Sequence, residues 1–112
     1  MWDSKEYTIE VKTDKYKTPN IYFETISSIE NNTPGCMYKT EADYIFYYFL
    51  AYKELYMLKR KDYVEWFDKN KLHLEGCRPK EVRNTNYTSA GYIVPKKHII
   101  EKDFCKIIKN FE

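Results

Sequence analysis

The sequence predicts an α/β fold of the α+β type, in which a mixed central β-sheet is flanked by helices. Runs rich in aromatic and β-branched residues, which are typical of strands, occur early in the chain. Segments with helical spacing of apolar residues come later, and strands followed by helices favour this class. The length of 112 residues allows a single hydrophobic core, so one domain is predicted across residues 1–112.

The first part of the chain is predicted to consist of strands. Residues 1–14 are expected to form a hairpin whose first arm is very short, and alternation places Tyr7, Ile9 and Val11 on one face of its second arm. We expect this apolar face to pack on the core and the polar face to point away from it. A proline and an asparagine then interrupt the chain before a second strand at 21–27.

The rest of the chain is predicted to alternate between helices and short strands. A capping-box-like start and apolar residues at helical spacing favour a helix directly after the loop that contains Gly35. The predicted elements are a helix at 39–53, a strand at 54–59, a helix at 60–70, a loop at 71–88, a short strand at 91–95 and an amphipathic helix at 99–111.

Composition excludes several classes of protein. The hydrophobic fraction of 43% and the aromatic fraction of 18% argue against disorder. No apolar run approaches the roughly 20 residues that cross a bilayer, and no signal-peptide pattern is seen, so we expect a cytoplasmic protein without membrane contact. Three widely spaced cysteines fit free thiols in a reducing compartment. The net charge of +2 does not decide for or against nucleic acid.

The residues that point to chemistry lie near the start of the chain. Asp3 comes seven residues before Glu10, and a hairpin would place them opposite one another, about 4.5 to 5.5 Å apart at Cβ. Two carboxylates this close repel, and a hard divalent cation relieves the repulsion. Such a cation activates water and stabilises charge on a phosphate, while Lys12 can stabilise the charge that develops. The pattern predicts metal-dependent phosphodiester hydrolysis. The alternative is an exposed ion pair between Glu10 and Lys12, which contributes under about 1 kcal/mol.

The pattern D-x6-E-V-K resembles the core motif of the PD-(D/E)XK nuclease superfamily. The continuation "EVKTDKYKTPNIYFE", followed by "TEADYIFYY", is similar to small phage-type members of that superfamily. The resemblance implies a restriction-endonuclease-like fold that lacks the usual first helix, because only Met1 precedes Trp2.

The resemblance also implies a set of site residues and a cofactor, Mg²⁺ or Mn²⁺. The implied metal ligands are the carboxylates of Asp3 and Glu10 with the backbone carbonyl of Val11, and Lys12 is the implied catalytic lysine. Asn20 and Glu24 match positions that support such a site.

Basic side chains away from the motif are candidate contacts with DNA phosphates, although any one of them can equally be a solvated surface residue. These candidates are Lys15, Lys17, Lys59, Arg60 and Lys61.

Two functions follow from the resemblance. The first is a metal-dependent DNA endonuclease, phage-encoded and acting in the host cytoplasm. The alternative is a non-catalytic binding module on the same fold, such as a phage inhibitor of a host nucleic-acid enzyme. In either case we expect a homo-oligomer, or a partner chain, to cover the sheet face left exposed by the missing helix.

Overall fold

The computed structural model describes residues 6–111, which form two four-stranded β-sheets and two helices. The α+β class predicted from the sequence is therefore confirmed. The strands are β1 (Ile9–Asp14), β2 (Asn20–Ser28), β3 (Thr33–Pro34), β4 (Tyr44–Phe49), β5 (Glu54–Lys59), β6 (Arg78–Arg83), β7 (Thr88–Pro95) and β8 (Cys105–Lys109). The helices are α1 (Cys36–Lys39) and α2 (Arg60–Asn70), and a 3-10 turn covers Lys96–His98.

The first sheet is mixed, with the strand order β1-β4-β5-β8. β1 runs parallel to β4, with Glu10 opposite Ile45 and Lys12 opposite Tyr47, and the other neighbours are antiparallel. The connection from β1 to β4 passes through β2, β3 and α1. This crossover carries the second sheet over the face of β1 on which the polar side chains lie.

The second sheet is antiparallel, with the strand order β3-β2-β7-β6. Tyr22 pairs with Ile93 and Glu24 with Gly91, and the β2–β7 register shifts between Glu24 and Ile26. Alternation therefore places Tyr22 and Glu24 on one face of the sheet and Ile21 and Phe23, which are fully buried, on the other.

The core lies between the buried faces of the two sheets and helix α2. The rings of Phe23 and Phe67 stack with centroids 3.7 Å apart, and Tyr92 meets Phe67 edge-on at 5.4 Å. Tyr63 extends this aromatic cluster to Phe104, 5.6 Å away. Aromatic pairs of this kind add to the stabilisation from burial, so α2 is fixed firmly to the sheet. The opposite face of the second sheet borders a cleft.

Several predicted elements are confirmed. The strand predicted at 54–59 and the helix predicted at 60–70 have the bounds of β5 and α2. The strands predicted at 21–27 and 91–95 lie within β2 and β7. No helix among residues 6–111 has the length and apolarity needed to span a bilayer.

The helix predicted at 39–53 is wrong, because Tyr44–Phe49 forms β4. Ile45, Tyr47 and Phe49 are buried on one face of this strand, and the intervening side chains are half-buried. The sequence of a strand that is covered on both faces is a continuous apolar run. Such a run also has apolar residues three and four positions apart, as an amphipathic helix does. The run belongs to the centre of the first sheet.

Two further predictions near the end of the chain are also wrong. The segment 71–88, predicted as loop, contains β6, whose side chains are exposed on both faces and so carry no hydrophobic pattern. The helix predicted at 99–111 is instead β8, which pairs antiparallel with β5 and buries Cys105. In both segments, pairing with a neighbouring strand determines the secondary structure, although the local spacing of apolar residues does not predict a strand.

The predicted orientation of β1 is reversed. Ile9 and Val11 are 42% and 60% exposed, whereas Glu10 and Lys12 are half-buried. The half-buried polar face of β1 is the face that borders the cleft. The predicted first arm of the hairpin, with Asp3, lies outside the described residues.

Candidate functional site

A cleft separates the polar face of β1 from the outer face of the second sheet. Its volume is about 730 Å³, and it is lined by Lys12 and Asp14 on one side and by Tyr22 and Glu24 on the other. Period-two alternation explains both pairs, because residues two apart on a strand point to the same side. The cleft thus brings together charged residues from two different sheets.

Three predicted site residues surround one thiol, that of Cys36 at the start of α1. Burial raises the pKa of this thiol above its usual value, the Lys12 ammonium opposes the rise, and the Glu10 and Glu24 carboxylates add to it. All three charges therefore lie close enough to act on the same sulfur atom. The structure brings Glu10, Lys12 and Glu24 together around Cys36, a residue that the sequence reasoning missed.

Glu24 is held by the backbone at the start of α1. The Cys36 N–H donates to Glu24 Oε1 at 3.2 Å, and the Gly35 N–H donates to the Thr25 carbonyl at 2.8 Å. A Cβ atom at Gly35 would lie 2.2 Å from the Glu24 carbonyl oxygen, so only glycine allows this approach. The proline-glycine pair that reads as a turn in the sequence therefore places α1 directly against Glu24.

Glu10 is oriented by a hydroxyl that follows α1. Thr40 Oγ1 donates to Glu10 Oε1 at 3.4 Å and accepts from the Ala42 N–H at 3.1 Å. The threonine therefore ties the end of α1 to β1. Glu10 and Glu24 are thus both positioned by the short segment that contains this helix.

Asp14 and Tyr47 close one end of the cleft. The Tyr47 hydroxyl donates to Asp14 Oδ2 at 2.6 Å and accepts from the Tyr22 N–H at 3.1 Å, while the Tyr16 N–H donates to Asp14 Oδ1 at 2.9 Å. Burial, and then the hydrogen bond to Asp14, hold the pKa of Tyr47 well above its usual value, so the hydroxyl stays protonated. Neither residue was singled out from the sequence, although Asp14 belongs to the quoted "EVKTD" motif.

The residues present match a hard divalent cation in type. Carboxylate oxygens such as those of Glu10 and Glu24 are the ligands that Mg²⁺ prefers, with the Val11 carbonyl as a further oxygen donor. Among residues 6–111, no group of three or more His, Cys, Asp or Glu side chains could hold a metal ion. Asp3, the carboxylate predicted to bind the metal together with Glu10, lies outside the described residues, and its role stays a prediction.

The candidate DNA contacts fall into two groups. Lys15 lines the cleft, as does Asn20 at the start of β2, and Lys17 is exposed nearby in the β1–β2 connection. Lys59 and Lys61 are exposed where β5 meets α2, outside the cleft lining.

Arg60 is committed to the fold. Its Nε donates to the Ala42 carbonyl at 3.0 Å and its Nη1 to the Met37 carbonyl at 3.4 Å. The guanidinium therefore links α2 to α1 and to the segment before β4, and its predicted phosphate contact stays a prediction.

Two basic residues of the cleft were missed because they lie in the predicted loop. Arg78 and Lys80 are on β6 and line the cleft. The signal that could have found them is the alternation within "RPKEVR", which places Arg78, Lys80 and Val82 on one face of a strand.

The chain matches no protein-family model, no curated protein and no solved structure. The geometry of the cleft is therefore the basis on which a function is argued.

Proposed function

We propose that this protein is a metal-dependent endonuclease that hydrolyses phosphodiester bonds in DNA. The observation that carries the proposal is the meeting of Lys12 and Glu24 beside Cys36 in one cleft, with Glu10 on the same face of β1 as Lys12. Two carboxylates and one ammonium at one cleft are the side chains that phosphodiester hydrolysis with a hard cation needs. An exposed ion pair between Glu10 and Lys12 would need only β1, whereas Glu24 comes from β2 of the second sheet.

The placement of β1 supports the resemblance to the PD-(D/E)XK superfamily. The strand that carries Glu10 and Lys12 lies parallel to β4 and is joined to it by a long crossover. Among the described residues β1 pairs on one side only, so its other side can accept a short strand that carries Asp3. A restriction-endonuclease-like arrangement of the site is thus part of the proposal.

The roles of the side chains follow from their chemistry. Glu10, Glu24 and Asp3 would hold Mg²⁺ or Mn²⁺, which when bound activates water and stabilises negative charge on phosphate. Lys12 has three N–H donors and a fixed positive charge on the cleft side of β1. It would approach a phosphate oxygen and stabilise the charge that grows there, which raises the rate of the chemical step.

The test is cleavage of supercoiled plasmid and of labelled oligonucleotides with Mg²⁺ or Mn²⁺. We expect Glu10→Gln and Lys12→Ala each to abolish cleavage, whereas Lys106→Ala, on the exposed face of β8, should cut like the wild type. Glu10→Gln should keep equal or slightly higher affinity for DNA because it removes a negative charge from the cleft. No cleavage by the wild type with either metal, on duplex, branched and single-stranded substrates, would reject the proposal.

The second candidate function is a binding module that has kept the cleft without catalysis. The observation that favours it is the lack of a three-ligand metal group among residues 6–111. This candidate predicts that Mn²⁺ does not change the melting temperature of the wild type relative to Glu10→Gln. Stabilisation of the wild type alone by Mn²⁺ would favour the nuclease, because a ligand stabilises only the state that binds it.

A further inference from the structure

Basic side chains of the cleft lie on two facing elements. Arg78 and Lys80 project from the cleft face of β6, where Arg78 is opposite Ile93 and Lys80 opposite Gly91 of β7. Lys12 and Lys15 face them from β1 and the residue that follows it. A ligand in the cleft would therefore meet positive charge on both sides.

The charges of the cleft do not cancel one another. Its lining contains four basic residues but only two acidic ones, Asp14 and Glu24. Each acidic residue accepts hydrogen bonds from the protein itself, Asp14 from Tyr47 and Tyr16, and Glu24 from the Cys36 N–H.

By contrast, none of the four basic residues makes an ion pair with any residue in 6–111, although five such pairs occur elsewhere in that range. Unpaired cations gathered on two walls of a cleft favour a ligand that carries several negative charges.

The size and the aromatic lining of the cleft further restrict the class of ligand that it can bind. A volume of about 730 Å³ is in the range of clefts that enclose small ligands, and it suits one strand of nucleic acid rather than a duplex. Tyr16, which is 76% exposed, and Tyr22 also line the cleft. Exposed rings beside a basic groove are the features with which proteins bind single strands.

We propose that the cleft binds a single-stranded segment of nucleic acid, with its phosphates along β6 at Arg78 and Lys80 and a base against the ring of Tyr16. The inference rests on the proposed function, because it specifies that the substrate of the proposed nuclease is single-stranded. Its test does not require cleavage, because binding is measured without metal.

The first experiment measures binding of fluorescent oligonucleotides by anisotropy in EDTA. We expect the wild type to prefer a single strand to a duplex of the same sequence. The double variant Arg78→Ala with Lys80→Ala should bind the single strand about tenfold more weakly at low salt. The slope of log affinity against log salt should fall by about 1.4, because each lost phosphate contact contributes about 0.7 for single strands.

The matched control removes the same charge from the other sheet. Lys106→Ala with Lys109→Ala changes two exposed residues of the edge strand β8, and we expect affinity and salt slope to match those of the wild type. β6 is exposed on both faces, so both double variants should keep the melting temperature of the wild type. Equal losses in the two double variants, or a preference for duplex, would overturn the inference.

The second experiment tests the ring. Tyr16→Ala should weaken single-strand binding about fivefold or more, and Tyr16→Phe should restore it, because stacking needs the ring and not the hydroxyl. Poly-glutamate should compete poorly with a single strand. Equal competition by poly-glutamate, or equal single-strand affinity of the two Tyr16 variants, would show that the cleft recognises only the negative charge of its ligand. Either result would overturn the inference.

The two proposals can fail separately. A protein that binds single strands in EDTA but cuts no substrate with Mg²⁺ or Mn²⁺ keeps the inference and loses the nuclease. A protein that cuts DNA and is unaffected by the β6 and Tyr16 variants keeps the nuclease and loses the inference.

Discussion

Tyr47 connects the two sheets through one hydroxyl group. It lies on β4 of the first sheet, donates to Asp14 on β1 and accepts from the Tyr22 N–H on β2 of the second sheet. The side chain is buried, so water cannot replace these bonds if the hydroxyl is removed. This hydroxyl is therefore a hydrogen-bonded link between the two sheets at this end of the cleft.

Tyr47→Phe should lower the free energy of unfolding by about 1–3 kcal/mol, because it leaves a carboxylate oxygen and a backbone N–H without their partner. Urea unfolding followed by circular dichroism measures the loss. Tyr16→Phe serves as the control, since that exposed hydroxyl should change stability by less than about 0.5 kcal/mol. Similar midpoints for Tyr47→Phe and the wild type would contradict the role of this hydroxyl.

Cys105 gives a prediction about pH. Burial raises the pKa of this thiol from 9.0 to about 11. A thiol whose pKa is raised in the folded state contributes stability that is complete below the unfolded pKa and is lost as pH rises towards the folded value. The stability of the wild type should therefore fall relative to Cys105→Ala between about pH 9 and pH 11, by on the order of 2 kcal/mol.

Urea midpoints of the wild type and Cys105→Ala, compared at pH 8 and pH 11, measure this effect. Tyrosine ionisation occurs in both proteins and cancels in the difference. A constant difference across this range would mean that the thiol is not shielded from water in the folded protein.

The short segment around α1 positions both Glu10 and Glu24, and it can do so only because Gly35 packs on the backbone of β2. The glycine has an ordinary φ of −72°, so the requirement is for space rather than for an unusual backbone conformation. This differs from Gly76, whose φ of +78° itself favours glycine.

Gly35→Ala should destabilise the protein by about 1–3 kcal/mol through overpacking, and it should move Cys36 away from Glu24. The rate at which Cys36 reacts with a thiol reagent should change with it. Gly76→Ala is the comparison, because strain at its positive φ should lower stability without altering Cys36. An unchanged rate in Gly35→Ala would show that α1 does not depend on this contact.

The elements that were predicted wrongly share a physical cause. The run "YIFYYF" satisfies helical spacing and strand propensity alike, and its place between β1 and β5 is what makes it a strand. "RPKEVR" has no buried side chain and is a strand only because β7 pairs with it. Pairing partners distant in sequence leave no local signal. Segments that carry their own pattern, such as the helix at 60–70, were predicted correctly.

For the candidate site, too, the residues that come from distant parts of the chain could not be predicted from local sequence. The E-x-K pattern correctly singled out Glu10 and Lys12 as neighbours on one strand, and Glu24 was named through the resemblance. The positions of Cys36 and Arg78 follow from the crossover and from the edge of the second sheet, which no short stretch of sequence specifies. Asp3 stays a prediction.

The outer face of β1 leads to a prediction about assembly. Ile9 and Val11 are exposed on an edge strand, and apolar burial contributes about 25 cal/mol per Å². We expect self-association through this face at high concentration, and Val11→Thr should weaken it. Sedimentation equilibrium measures the change. Leu72→Thr, at an exposed residue outside β1, should not weaken it, and a wild type that stays monomeric at all concentrations would contradict the expectation.

The pairing of β2 with β7 has a consequence for synthesis of the protein. β2 ends at Ser28 and β7 begins at Thr88, so β2 is translated about 3 to 12 s before its main partner at 5–20 residues per second. During this interval β2 lacks its main partner strand, and unpaired strands with apolar side chains such as Ile21 and Phe23 favour aggregation. The second sheet, and with it the basic side chains of β6 that line the cleft, is complete only after both β6 and β7 have been translated.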